Sequence, residues 1–287
     1  MTENSNTNPL QQYYRQPAIY IKLPSEGRYY DKNTFTPTET GELPILPMTA
    51  KDELAFKTPD ALINGQATVD VIKSCVPNML DPWKMVNYDT DTLLLAIRIA
   101  TYGETMDINF AVPVTNESTS TTVNLPALLE TVSKIDPQDH ATTKSGFKIR
   151  IQPLTYDKLS KIQIAQFEQQ KIYTNVVDSG LTEDQKTQRF AESYKKMQNI
   201  NVELLIESIA EITTPEDQTV SDGKQIFDFI ANCDTKITRE IENVLNDLRS
   251  QCSIKPLQLK ATEDQIKKGV PASYEVPVTF DTANFFG

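Results

Sequence analysis

Residues 47–103 read PMTAKDELAFKTPDALINGQATVDVIKSCVPNMLDPWKMVNYDTDTLLLAIRIATYG, and three helix-sized apolar patterns in this stretch organise the rest of the chain. Thr49 heads the first: its hydroxyl can accept the backbone N–H of Asp52 while the Asp52 carboxylate reaches back, a capping box that opens a helix. After Gly65, residues Val69, Ile72, Lys73 and Val76 recur at i, i+3, i+4 and i+7. That face is apolar but for Lys73, whose alkyl stem can lie along it, and Pro77 closes the pattern. The third run is expected to start from a cap at Asp89 or Asp91 and carries Leu93, Leu94, Leu95, Ala96, Ile97, Ile99 and Ala100, broken only by Arg98. A helix apolar on almost every face is a buried one. Gly103 supplies the left-handed residue that ends it.

Upstream, the Asn-, Thr- and Ser-rich start reads as a flexible arm over residues 1–18. Tyr13 and Tyr14 are too apolar for a solvated tail and are candidate contacts for a partner. YIKL from Tyr20 reads as a first strand, Pro24 to Gly27 as a turn, Arg28-Tyr29-Tyr30 as the start of a second extended piece, and ELPIL from Glu42 as a short strand. Beyond Gly103 the period falls to two. Met106, Ile108, Phe110, Val112 and Val114 alternate, and so do Thr121 to Leu125 across a polar loop, which together make a hairpin. A short helix follows from Leu125 to Val132, with Pro126 in its first turn, and FKIRI from Phe147 is another strand.

The remainder is mainly helical. Thr155 to Val177 is amphipathic, Thr182 with Gln185 makes a second capping box, and the helix it opens is expected to carry Phe190 through Ile209. Thr214-Pro215-Glu216-Asp217 has the signature of a further helix start, and Thr235 to Leu248 places Ile237, Ile241, Val244, Leu245 and Leu248 on one stripe. These helices read as a bundle. From Ser253 the chain turns extended: Leu257 to Leu259, a capped turn at Thr262, then Tyr274 to Phe280, which Pro277 confines to an edge or a bulge. FAVPV at Phe110 and YEVPV at Tyr274 are alike. The expected fold is α+β: an arm (1–18), a mixed domain (19–152), a helical domain (153–252) and an extended C-terminal segment (253–287). Phe285 and Phe286 in that last segment are two more candidate partner contacts, because adjacent Phe rings left in water waste apolar area.

Composition narrows the chemistry. With 28 Lys and Arg against 39 Asp and Glu the formal charge is −11, which argues against a sequence-independent hold on nucleic acid. No run approaches the roughly 18 apolar residues of a membrane span, and MTENSNTNPLQQYYRQ has neither the basic nor the apolar region of a secretion signal. Cys75, Cys233 and Cys252 are too scattered for a disulfide framework. A lone His140 and the lack of C-x-x-C leave no ligand set for zinc, and neither G-x-S-x-G nor a phosphate-binding G-x-x-x-x-G-K-[ST] occurs. No cofactor is expected. Carboxylate pairs, Asp89 with Asp91 or Glu53 with Asp60, are the one remaining route to hydrolysis, although caps account for Asp89, Asp91 and Asp52 more simply.

The ordered series YIKLPSEGRYYD, PMTAKDEL, TPDALINGQ, SCVP, DTDTLLLAIRIATYG and the terminal FDTANFFG resembles the baseplate hub proteins of T-even-type contractile-tailed bacteriophages. The resemblance implies a structural component of the virion tail baseplate, assembled in the host cytoplasm. It implies no enzymatic activity, other baseplate or tail hub proteins as partners, and membership of a symmetric multi-subunit assembly. An assembly factor that leaves before the particle is finished is the alternative, and a carboxylate-based hydrolase a remote one. Members of that family are expected to carry a Cys-Pro-x-Cys pair after the YG. Here Val112-Pro113-Val114-Thr115 stands in its place, which argues against a metal site in this chain.

Overall fold

The computed structural model describes residues 8–56, 65–133, 138–177, 182–251 and 254–278, and the architecture is α+β, with helices packed against small antiparallel sheets. The capping box forms as its residues require. Thr49 Oγ1 accepts from Asp52 N at 3.3 Å and Asp52 Oδ2 accepts from Thr49 N at 2.8 Å, opening α1 (Ala50–Phe56). Helix α2 (Gln66–Cys75) starts from Gly65 at φ 76°, where an added Cβ would come within 2.7 Å of Ser160 Oγ. Its buried residues are Ala67, Thr68, Val69, Val71, Ile72 and Cys75. Lys73 is exposed, so the buried arc turns toward Val71 and Cys75 and leaves the lysine outside.

Helix α3 (Asn87–Tyr102) is the centre of the largest core, with Leu93, Leu95, Ala96 and Ile97 fully buried. Gly103 ends it in the left-handed region, its N–H donating to Ile99 O at 3.0 Å. Against α3 lie the paired strands β1 (Ile19–Ile21) and β2 (Leu43–Ile45), Tyr20 facing Pro44. The segment expected to be extended from Arg28 is instead more turn: the bends begun at Pro24 run on to Tyr29, with Glu26 at φ 52° and Gly27 at φ 78°. The aromatic ring of Phe35 packs where a Gly27 Cβ would stand, 2.9 Å away, so the tight course depends on glycine.

The expected hairpin is β3 (Thr105–Ala111) with β4 (Ser118–Asn124), Thr105 opposite Asn124, followed by α4 (Leu125–Ser133). A four-stranded antiparallel sheet then runs in order β5 (His140–Thr142), β6 (Lys148–Ile151), β7 (Ile209–Thr213), β8 (Thr219–Val220). Ile149, Ile151, Ile209 and Ile212 of this sheet share a second core with Ile226, Ile230, Ile241, Leu245 and Leu248. Those residues come from α7 (Gly223–Asn232) and α8 (Thr235–Gln251). Between β6 and β7 run the long helices α5 (Tyr156–Val177) and α6 (Glu183–Glu207), the second opened by the Thr182–Gln185 capping box.

Two details differ from the sequence expectation here. Ile209 does not extend α6, because Ile209 to Thr213 is β-branched enough to add a strand beside β6. Thr214-Pro215-Glu216-Asp217 starts no helix: it is the turn between β7 and β8, with Asp217 at φ 59°. The cap of the next helix is Asp222, whose side chain accepts from Gln225 N at 2.9 Å.

Strands β9 (Leu257–Lys260) and β10 (Ser273–Val276) pair antiparallel around α9 (Glu263–Lys267). They form a third small core with the end of β3 through Val112, Val270, Tyr274 and Val276. The two similar pentapeptides thus meet, the rings of Phe110 and Tyr274 having centroids 6.2 Å apart. Among the described residues no helix is long and apolar enough to cross a membrane.

Candidate functional site

The arm expected to carry partner contacts has a fixed base. Asn8 caps a short 3-10 helix, Pro9–Tyr13, by accepting from Leu10 N at 3.0 Å. Arg15 then turns inward. Its guanidinium donates to Ser74 O at 2.7 Å, Ser74 Oγ at 2.8 Å and Pro47 O at 2.8 Å, and lies 3.4 Å from Asp52 Oδ2. Ser74 Oγ donates to the same carboxylate oxygen at 3.0 Å. Asp52, recognised in the sequence as half of a capping box, is therefore also the acceptor that anchors the arm. Nothing in the sequence around Arg15, which follows Tyr13 and Tyr14, marked it as an anchor, because its acceptors lie 32 to 60 residues away. From there Ala18 N donates to Ile45 O at 2.9 Å and the chain enters β1.

On that base Leu10 is 63% exposed, Tyr13 77% and Tyr14 59%, and Tyr20 on the adjoining β1 is 62% exposed. The other two candidate contacts, Phe285 and Phe286, lie outside the described residues.

The carboxylates behave differently from the caps expected. Helix α3 has Val86 at its N-cap, with no side-chain cap, so neither Asp89 nor Asp91 opens it. Asp89 is fully buried and accepts from Ser25 N at 3.0 Å, from Ser25 Oγ and from Tyr30 Oη at 2.5 Å. Tyr30 Oη in turn accepts from Val86 N at 3.1 Å. Burial pushes the Asp89 carboxyl up to about 6 against the opposing pull of the Ser25 and Tyr30 hydrogen bonds. The same burial, with the Asp89 charge beside it, holds the Tyr30 hydroxyl well above its ordinary value. Asp91 is pushed up to about 7 by burial.

Two residues apart, the two acids point about 200° apart around the helix and cannot converge on one bond. Glu53 accepts from Tyr102 Oη at 2.9 Å, and its imagined partner Asp60 lies outside the described residues. Arg98, the polar break in α3, has its guanidinium over the Tyr102 ring, 4.4 Å from the centroid, a cation–π contact that accounts for a charge on so apolar a helix.

Where the family resemblance implied thiols, Val112 is buried in the third core and Thr115 N donates to Pro113 O at 2.8 Å. Among the described residues no three His, Cys, Asp or Glu side chains come together in a set able to hold a metal. A cavity of about 410 Å³ opens beside the second core, against Tyr88 at the start of α3, with Arg249 in its wall. The sequence gives no sign of it, because its lining comes from six separate segments.

No curated protein and no solved structure matches the chain. The model of one protein family, described as T4 bacteriophage base plate protein, matches residues 17–270. That match takes in the chain from Pro17 onward, the first two cores and the two long helices α5 and α6, and stops at Val270 inside the third core; the chain belongs to the T4 bacteriophage base plate protein family.

Proposed function

We propose that this chain is a structural component of the hub region of a contractile-tail base plate, stays in the finished virion, and works through protein contacts and without catalysis. The observation that carries the reading is the arm: Leu10, Tyr13 and Tyr14 stand exposed on a segment that Arg15 ties to the body, with Tyr20 exposed on the adjoining strand β1. Aromatic side chains presented on a fixed base lose little conformational freedom on docking, which is why they dominate protein interfaces. The acidic balance of the chain favours protein neighbours over nucleic acid, and the carboxylates that had suggested hydrolysis serve the fold.

Mass spectrometry of salt-washed virions tests this, with a constant copy number per particle as the expected result. A chain that infection needs for base plate formation but that is missing from washed particles would overturn it in favour of an assembly factor. Changing Tyr13 and Tyr14 together to Ser should leave the melting temperature within about 1 °C, since exposed substitutions are nearly neutral, and should lower incorporation.

A further inference from the structure

The cavity beside the second core is walled by Tyr29, Tyr88, Ile151, Leu204 and Leu245, with Arg249 among them. Its volume, about 410 Å³, falls in the range of about 300–1,000 Å³ usual for sites that take a ligand group. The wall is mostly apolar, and one of its members is a cation, Arg249, that no ion pair among the described residues neutralises. Arg249 donates to Leu204 O at 3.4 Å and to Ser208 Oγ, both neutral acceptors. No carboxylate among the described residues pairs with it. Asp139, which also lines the cavity, is held by His140 Nδ1 at 2.8 Å. Burial works against the Arg249 charge, and a partly desolvated cation without an anion is a standing cost that a bound carboxylate removes. Asn87, Gln138 and Asn246 also face the cavity, and their amides offer both donors and acceptors, as an inserted peptide backbone requires.

We propose that this cavity is the docking point for a segment of a neighbouring base plate subunit that carries a large apolar side chain beside a carboxylate. The side chain fills the cavity and the carboxylate pairs with Arg249 as a charge-assisted fork. The partner being a base plate subunit rests on the reading above; the chemistry of the site does not.

The test uses the isolated full chain, titrated by ¹H–¹⁵N correlation spectra with four short probes: N-acetyl-Phe-Glu-amide, its Phe-Gln and Phe-Lys counterparts, and N-acetyl-Ser-Glu-amide. The Phe-Glu probe should shift the amides of Leu204 and Leu245. It should bind about tenfold more tightly than Phe-Gln, the factor expected of one charged hydrogen-bonded pair, and Ser-Glu should not bind. Arg249→Met should remove the preference for Glu over Gln, and Arg249→Lys should keep part of it; the spectra themselves report whether each variant is folded. Equal binding of Phe-Glu and Phe-Gln by the native chain, or shifts confined to other residues, would overturn the proposal. So would phenylacetate binding as tightly as Phe-Glu, which would assign the cavity to a small acid. Virion mass spectrometry can fail while this titration succeeds, and the reverse, so the two readings are separable.

Discussion

Tyr30 Oη donates to the carboxylate of Asp89 at 2.5 Å, across 59 residues of sequence, while accepting from Val86 N at 3.1 Å. With Ser25 donating both its N–H and its hydroxyl to the same carboxylate, Asp89 stitches the turn 24–30 to the first turn of the central helix. A cap would satisfy its own helix. This carboxylate satisfies a distant loop, and the energetic consequence is larger.

Removing a helix cap costs about 0.5–2 kcal/mol, whereas Asp89→Ala strands three buried donors at about 1–3 kcal/mol each before relaxation. The expected loss is about 3–5 kcal/mol by urea denaturation, and about half that for Asp89→Asn, which keeps one acceptor oxygen. A loss under about 1 kcal/mol for Asp89→Ala would return the residue to the role of a cap.

Stability should fall as pH rises through the weakly acid range. Asp89 and Asp91 have folded-state values raised to about 6 and about 7, above the unfolded value near 3.9. In that window the folded chain binds more protons than the unfolded one, so the stabilisation is complete below about pH 4 and is lost as pH climbs through 6 to 7. The depressed carboxyls of Asp157 and Glu211 act oppositely, but only at lower pH. Calorimetry should therefore show a higher melting temperature at pH 5.5 than at pH 7.5, with the difference reduced in Asp91→Asn.

Arg15→Ala should release the arm. Its hydrogen bonds to Ser74 and Pro47 are partly solvated, so the global cost is modest, about 1–2 kcal/mol. Loss of hydrogen-exchange protection at Ala18, with β1 retained, is the signature that checks it. Arg15→Lys should restore little, because an ammonium cannot span the fork to Ser74 and Pro47.

Val114 sits at φ 71° with its side chain 68% exposed. A β-branched residue there is strained by about 1–2 kcal/mol, and exposure means that its side chain contributes little burial. Val114→Gly should raise the urea midpoint by the equivalent of about 1 kcal/mol, the strain removed less the flexibility gained by the unfolded chain. Any drop would show that the turn is held by packing of the valine.

Ile97→Ala, in a fully buried position of α3, should cost about 2–5 kcal/mol. Lys73→Ala should cost under about 0.5 kcal/mol, because that residue faces water. The pair checks the rotation of α2 as well as the depth of α3.

Local chemistry was legible in the residues. The Thr49–Asp52 box, the all-round apolar α3, the hairpin after Gly103, the Thr182–Gln185 box, the capped turn at Thr262 and the stripe on α8 each depend on contacts within a few positions of one another, so spacing alone decided them. The strand at Ile209 was hidden because the partner that makes it a strand, β6, lies some sixty residues back. Asp89 looked like a cap for the same reason: an acid at a helix start has one meaning by propensity, and only the arrival of Ser25 and Tyr30 gave it another. Arg15 anchoring to Ser74, the outward turn of Lys73 and the cavity around Arg249 are likewise products of long-range packing. Burial and hydrogen-bond pairing are properties of surfaces that meet only once the chain has closed, and for these the tertiary structure alone decided.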